Sequence, residues 1–405
     1  MKHFSLNSFI NTYVTEREES LFTADLATYH DQLAREIDGK SALVIGGAGT
    51  IGSSFIRALL RFRPARLYVI DINENGLTEL TRDLRSAADL NVPDDYKPYP
   101  INFGDPVFAK IMQNEGPFDI VANFAAHKHV RSEKDHYSIE AMIDNNVLKA
   151  KQLLELLLAQ PPKHFFCVST DKAANPVNVM GASKKLMEEV ILAYSDRLKI
   201  STARFANVAF SNGSLLFGFL ERMMKQQPLS SPNDVKRYFV SPEESGQLCL
   251  LACILGRSGE IFFPNLREEQ MRTFSSIAED FLREYGDYTP RYCSTEQEAR
   301  EAAANLSRED EAYPVYFFGS NTSGEKPYEE FFTEGEDIDR DRFAQLGVIR
   351  NAGRKSVEDI DVMFARLNAQ FRDTTIDKAA IVQLMVDFIP NFVHLETGRS
   401  LDQKM

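Results

Sequence analysis

Apolar residues fall into two alternating kinds of run along the middle of the chain. SALVIG (41–46), LYVID (67–71), FDIVANFA (118–125), HFFCVS (164–169) and ISTARF (200–205) are short continuous apolar stretches. Runs of this sort are buried on both faces of a parallel sheet. A further strand is expected near Tyr99–Phe103. Between these runs the spacing turns helical: from about Thr50 to Arg61, over 75–87 with Leu77, Leu80 and Leu84 on one face, over 137–160, and over 178–196. Six strands with helical crossovers predict an α/β fold, a Rossmann-type doubly wound parallel sheet. Ligands of such sheets sit beyond the carboxyl ends of the strands.

The flanks read differently. Residues 1–40 are polar with helical patches such as LATYHDQLAREI, and predict a helical extension packed on the domain or on a partner subunit. Residues 41–207 form the Rossmann domain with its catalytic segment. After Asn207 the alternation fades into loops such as QQPLSSPNDVKR and FPNLREEQ. Residues 208–350 therefore predict a smaller C-terminal substrate lobe, with some chain returning to the sheet. The polar stretch 294–312 reads as an exposed helical excursion. Residues 351–405 predict a C-terminal helical extension, with helices near 356–370 and 376–388.

Composition narrows the partners. A chain of 405 residues, 43% hydrophobic, can bury a large core. A net charge of -13 repels phosphate backbones and argues against nucleic acid. The N-terminus lacks the apolar core of a signal peptide, and no run reaches the ~18 apolar residues of a membrane span. A cytoplasmic protein is expected. Cys249 and Cys253, four apart in LCLLACIL, read as buried free thiols. His127 and His129 lack a third ligand, so no metal is expected.

The segment VIGGAGTIGSSF joins the first strand to its helix and spaces Gly46, Gly49 and Gly52 three apart. Glycines there allow a tight turn and let a pyrophosphate approach backbone amides at a helix N-terminus. Asp71 ends the second strand, 19 residues after Gly52. A carboxylate there accepts hydrogen bonds from the adenosine ribose and repels a 2′-phosphate, which favours NAD over NADP.

The most informative segment is CVSTDKAANPVNVMGASKKLMEEV (167–190). With the glycine turn, NFAAHKHV (123–130), NNV (145–147), RFANV (204–208) and RYFVSPEES (237–245), it resembles the extended short-chain dehydrogenase/reductases. Among them it resembles the bacterial nucleotide-sugar 4,6-dehydratases of polysaccharide biosynthesis, especially those acting on UDP-N-acetylglucosamine. The likeness covers roughly 41–265, with an echo at SGEKPYEEFFTEGE (323–336). Most short-chain dehydrogenases carry Tyr-x-x-x-Lys, whereas this chain has Met180 and Lys184. The C5-retaining branch of the UDP-N-acetylglucosamine dehydratases is similar in having Met at that place. Many members of that branch also have a membrane-spanning N-terminal region, so the chain resembles a soluble version. Ile45 stands where threonine often precedes the first glycine.

The resemblance implies a reaction and its residues. Hydride removal from C4 to NAD makes a ketone that acidifies C5–H; water then leaves across C5 and C6, and the hydride returns to C6. Such a site needs a base, an acid and a hydride acceptor on one sugar face. By position, Lys172 is the C5 base, with a depressed pKa, and Asp171 the acid for the 6-hydroxyl. Thr170 bonds the C4 oxygen, and Lys184 holds the nicotinamide ribose. Met180 cannot exchange a proton, so the route of the 4-hydroxyl proton stays open between water, Thr170 and a lysine. Thr50, Ile51, Asn73, Asp105 and Ala125 are implied on the cofactor. Lys128, Asn207 and Arg237 are implied on the substrate, with Arg237 at its diphosphate, where a guanidinium fork suits two phosphate oxygens. The implied product of UDP-N-acetylglucosamine is the 4-keto-6-deoxy sugar nucleotide, although GDP in place of UDP stays open. Alternatives are an epimerase or 4-reductase on the same scaffold, or a non-catalytic NAD-binding protein. The long helices after strands four and five predict a homodimer or higher homo-oligomer.

Overall fold

The structure, a computed structural model, describes residues 4–307, 309–320, 326, 328–373 and 377–396. Its centre is a nine-stranded sheet: β1 (Ser41–Ile45), β2 (Arg66–Asp71), β3 (Asp95–Pro100), β4 (Ile120–Asn123), β5 (His164–Val168), β6 (Ile200–Ala203), β7 (Glu260–Pro264), β8 (Ile338–Asp339) and β9 (Leu346–Ile349). The order across the sheet is β8-β9-β7-β6-β5-β4-β1-β2-β3. The strands from β3 to β7 run parallel, while β9 pairs antiparallel with β7 and β8 antiparallel with β9. The order reverses between β1 and β4, which opens the crevice where such sheets take a ligand.

Local sequence explains most of these elements. Strands β4 and β5 are buried at every position, as continuous apolar runs require. The Thr50–Leu59 helix turns Phe55, Ile56 and Leu59 into the core. The third strand lies earlier than the expected Tyr99–Phe103. It is Asp95–Pro100, and it pairs from Arg66↔Asp95 to Asp71↔Pro100. This edge strand is only half-buried and contains Pro98 and Pro100, which an edge tolerates. Its polar and proline content hid it from the apolar pattern. The long helix expected over 137–160 runs from His136 to Ala159 and widens to a π-turn at Asp144–Leu148.

The smaller lobe carries a parallel three-stranded sheet of Leu229–Pro232, Ala312–Phe318 and Thr289–Tyr292. The 294–312 stretch holds the Glu296–Ala304 helix, pinned by Ala299 and Ala303. The N-terminal extension packs on its own chain. Phe9, Ile10 and Val14 join the small lobe's core, while Phe22, Leu33 and Ile37 join the main one. The helices Val357–Phe371 and Lys378–Phe388 lie on the Val179–Ala193 helix. Among the described residues no helix is long and apolar enough to cross a membrane.

Candidate functional site

The glycine turn is built by close approach of backbone. Gly46 has φ +75, and a Cβ there would stand 2.5 Å from the Ala125 amide nitrogen. A Cβ on Gly52 would stand 2.2 Å from the Gly46 carbonyl oxygen. Only glycine lets the turn, the helix and β4 meet at these distances. Gly47 is equally constrained, with Val69 at 2.3 Å from its would-be Cβ. At Gly49 the nearest atom is 3.4 Å away, so this glycine is not demanded by protein packing.

Asp71 is held at the mouth of the turn. The Ala48 amide donates to Asp71 Oδ2 at 2.9 Å, and the Asn73 amide donates to Asp71 Oδ1 at 2.9 Å. A cavity of about 190 Å³ opens beside it, with Gly46, Gly49, Asp71, Ala125, Asn102 and Asn145 in its wall. Four of these are residues that the sequence assigned to the cofactor. The others assigned there lie elsewhere. Asn73 caps the Glu74–Ser86 helix by accepting from the Gly76 amide at 2.9 Å. Asp105 accepts from the Asn102 amide at 3.2 Å and so shapes the loop from behind. Thr50 accepts from the Asn212 amide at 2.9 Å, and Ile51 packs on the core. A larger cleft of about 470 Å³ lies on the far flank of Thr50. It mixes Arg57 and Arg61 with Asp83, Asp89 and Glu243 and has no excess of positive charge for a phosphate.

The catalytic segment leaves the carboxyl end of β5 as a single 3-10 turn, Asp171–Ala173. Asp171 is buried, and its Oδ1 accepts from the Thr170 hydroxyl at 2.8 Å, the Lys172 amide at 2.9 Å and Lys172 Nζ at 3.1 Å. Lys172 Nζ also lies 3.6 Å from Glu329 Oε1, and Arg237 Nη2 lies 4.0 Å from that same oxygen. Burial by itself pushes the Lys172 ammonium down, but Asp171 and Glu329 outweigh it and the net direction is up. This corrects the expected depressed lysine. Burial lowers Lys128 and also Lys184. Lys184 Nζ donates to the Val168 carbonyl oxygen at 2.6 Å and reaches Met187 Sδ at 3.2 Å. Lys184 thus sits at the end of β5, outside the wall of the cavity beside Asp71. Met180 is buried in the first turn of the next helix.

On the substrate side, the structure brings Arg237 to Lys172 through Glu329. Asn207 has a buried side-chain nitrogen with no hydrogen-bond partner among the described residues. Lys128 Nζ donates to the Asn212 carbonyl oxygen at 2.9 Å, linking the loop after β4 to the chain beyond Asn207. A cleft of about 310 Å³ lies at the N-terminus of the Leu215–Met224 helix, with Arg131, Ser214 and Ser230 in its wall. The Ser230 hydroxyl is buried there without a partner among the described residues.

Three residues of the site were not singled out by sequence. Asn146 sits in the π-turn and is buried. Its side chain accepts from the His127 amide at 2.8 Å and donates to the His127 carbonyl at 2.9 Å and to Ser183 Oγ at 3.0 Å. It fixes the loop after β4 to the catalytic helix. Asn102 lines the cofactor cavity, hidden by the misplaced third strand. Glu329 belongs to the echo at 323–336, of which 323–325 and 327 lie outside the described residues. The echo was the one signal for it.

The fold is a Rossmann-type doubly wound sheet with a glycine-rich turn after its first strand. The chain belongs to the polysaccharide biosynthesis protein family, whose profile matches residues 42–351. It is 29% identical to an uncharacterized membrane protein of Methanocaldococcus jannaschii, over 82% of this chain and 92% of that one. It is 28% identical to a probable polysaccharide biosynthesis protein of Bacillus subtilis, over 75% of this chain and 47% of that one; the chain spans about half that relative's length. Among solved structures it resembles a UDP-glucuronic acid 4-epimerase mutant from Bacillus cereus with NAD, with a TM-score of 0.55 and 18% identity, over 71% of this chain and 89% of that one. It also resembles a dTDP-glucose 4,6-dehydratase mutant from Streptomyces venezuelae with NAD, with a TM-score of 0.54 and 19% identity, over 72% and 87%. At these identities the structures share the fold.

Proposed function

We propose that this protein is an NAD-dependent 4,6-dehydratase of a nucleotide-activated N-acetylhexosamine, with UDP-N-acetylglucosamine as the preferred substrate. The observation that carries the reading is the buried cluster of Asp171, Lys172, Glu329 and Arg237 at the carboxyl end of β5, with Met180 in the first turn of the following helix. An acid–base cluster of this kind suits elimination, and the missing phenol separates it from a dehydrogenase that relies on tyrosine.

The glycine cradle fits a dinucleotide: Gly49 leaves room for a pyrophosphate, and Asp71 faces the cavity where a ribose would sit. NAD bound there would supply a hydride acceptor at C4 and a hydride donor at C6. The chain's own residues do the rest. Thr170 bonds the C4 oxygen. Lys172 removes the proton from C5 once it is a free amine. A neighbouring carboxyl, Asp171 by resemblance, protonates the departing 6-hydroxyl. Arg237 and the Asn207 amide hold the diphosphate and sugar. The cleft at Ser214 and Ser230 takes the nucleoside, near the positive end of a helix.

Incubation with UDP-N-acetylglucosamine should yield the 4-keto-6-deoxy nucleotide sugar, seen as loss of water by mass spectrometry and assigned by NMR. An epimerised product of unchanged mass, or stoichiometric consumption of cofactor, would overturn the reading. Lys172→Ala and Asp171→Asn should abolish product formation.

A further inference from the structure

Glu329 is brought to Lys172 from outside the catalytic segment, and a buried anchor sets its place. Arg204 is fully buried on the chain leaving β6. It donates to the Phe331 carbonyl oxygen at 2.9 Å and pairs with Glu336 at 3.2 Å, while its other edge holds Glu188 at 2.9 Å. On the near side, Lys326 Nζ donates to the Asn175 carbonyl at 2.6 Å, and the Asn175 amide donates to Glu330 at 2.8 Å. The 326–336 segment is thus tied at both ends to the catalytic loop and its helix, with Glu329 between the ties.

Two carboxyls therefore flank one lysine, and their surroundings differ. Asp171 Oδ1 receives three donors at 2.8–3.1 Å. Those are the surroundings of a hydrogen-bond acceptor. Glu329 meets its cations only at 3.6 and 4.0 Å, beyond hydrogen-bond length. It is buried, with 6% of its surface exposed. Burial raises its proton affinity, and Lys172 offsets this only in part.

We propose that Glu329 is the acid of the elimination and that Asp171 is the residue that positions Lys172. The proposal rests on the dehydratase reading and changes one role within it. Moving one proton across the gap from Lys172 to Glu329 converts an ammonium–carboxylate pair into the free amine and the carboxyl that elimination requires. The amine takes the C5 proton, the C5–C6 double bond forms, and the C6–O bond breaks. The Glu329 proton leaves with that oxygen as water. The C5 proton returns from Lys172 when C6 receives hydride, and Glu329 regains a proton equivalent to the one released by the 4-hydroxyl. No net oxidant is needed.

The test uses the full chain with NAD and UDP-N-acetylglucosamine, comparing wild type, Glu329→Gln, Glu329→Asp and Asp171→Asn. Glu329→Gln should lose about 100-fold in kcat, the usual weight of a general acid. Reduced nicotinamide should accumulate in it, because C4 oxidation outlasts the lost elimination. The resting and active forms of the pair hold one proton between them, so the wild-type kcat should fall as pH drops through the titration of the pair's carboxyl, and that limb should be lost in Glu329→Gln. Glu329→Asp keeps a carboxyl and should recover part of the rate. Glu329→Gln turnover within a few-fold of wild type, or accumulation of reduced nicotinamide in Asp171→Asn alone, overturns the proposal and returns the role to Asp171. If wild type makes no keto sugar from UDP- or GDP-N-acetylglucosamine, the dehydratase reading itself fails and takes the proposal with it.

Discussion

Arg204 and Glu188 form an ion pair at 2.9 Å in which both side chains are fully buried. Arg204 comes from the chain after β6 and Glu188 from the catalytic helix, so the pair locks the helix to the sheet. Arg204 also holds Glu336 and the Phe331 carbonyl. Arg204→Met takes the guanidinium from Glu188 and Glu336 and leaves Glu188 with Lys185 at 3.8 Å as its cation, and removing one partner of a buried pair costs about 3–5 kcal/mol. Urea unfolding should show that loss. Because the same guanidinium ties down the segment bearing Glu329, kcat should fall in the protein that remains folded.

The same pair sets an acid limit. Burial pushes the Glu188 carboxyl up, but Arg204 outweighs it and the net direction is down. The folded protein therefore binds this proton less tightly than the unfolded chain does. The stabilisation is complete above about pH 4.3, the unfolded value, and drains as pH falls through the lower folded value. Unfolding free energies measured in steps below that pH should fall less steeply in Glu188→Gln than in wild type.

The glycines of the turn should separate by mechanism. In Gly52→Ala the new Cβ meets the Gly46 carbonyl at 2.2 Å and Gly47 Cα at 2.9 Å, both backbone. The turn must shift, at about 1–3 kcal/mol of stability, and NAD affinity falls with it. In Gly49→Ala the nearest protein atom is 3.4 Å away. That variant should melt like wild type and still bind NAD poorly, because its methyl occupies ligand space. Calorimetric titration with NAD beside thermal melts tests both.

Asn207→Ala removes an amide nitrogen that has no partner among the described residues. No internal hydrogen bond is lost, so stability should stay level or rise slightly. A substrate contact worth about 1 kcal/mol should disappear, raising KM several-fold. Equal loss of stability and affinity would show that the amide is structural.

The C-terminal helices should decide the assembly. The Val179–Ala193 helix, expected as a subunit contact, is buried except at Lys185 and Ala193. Ile360, Met363, Ile381 and Leu384 of the chain's own C-terminal helices join the same core. Beyond them, the Val393 and Leu395 amides donate to the Pro176 and Val177 carbonyls, bracing the catalytic loop. The full chain should not pair through that face. Deletion of residues 356–405 should expose it, so that light scattering reports dimers or aggregates and the melting temperature falls.

The parallel core was readable because a buried strand or helix leaves a local signature. β4 and β5 are apolar at nearly every position, and the Glu74–Ser86 helix buries Leu77, Leu80 and Leu84 at helical spacing. The glycine turn was readable because its constraint, backbone against backbone, lies within a few residues. β3 was misplaced because an edge strand with prolines has no such signature. Asn146 and Glu329 lay inside quoted motifs, NNV and the 323–336 echo, but received no role because nothing in their neighbours along the chain says what they touch.

By itself, then, the sequence determined the fold class, the glycine turn with Asp71 at its mouth, and the order of the STDK segment before Met180 and Lys184. These depend on short-range periodicity and spacing. Only the tertiary structure decided that Lys172 lies between Asp171 and Glu329, which raise its proton affinity, while burial lowers that of Lys184. Both outcomes depend on how deeply each ammonium is buried and which carboxylates reach it. Glu329 reaches Lys172 from more than 150 residues along the chain. Charge balance in a buried site is summed over space, and no local pattern carries that sum.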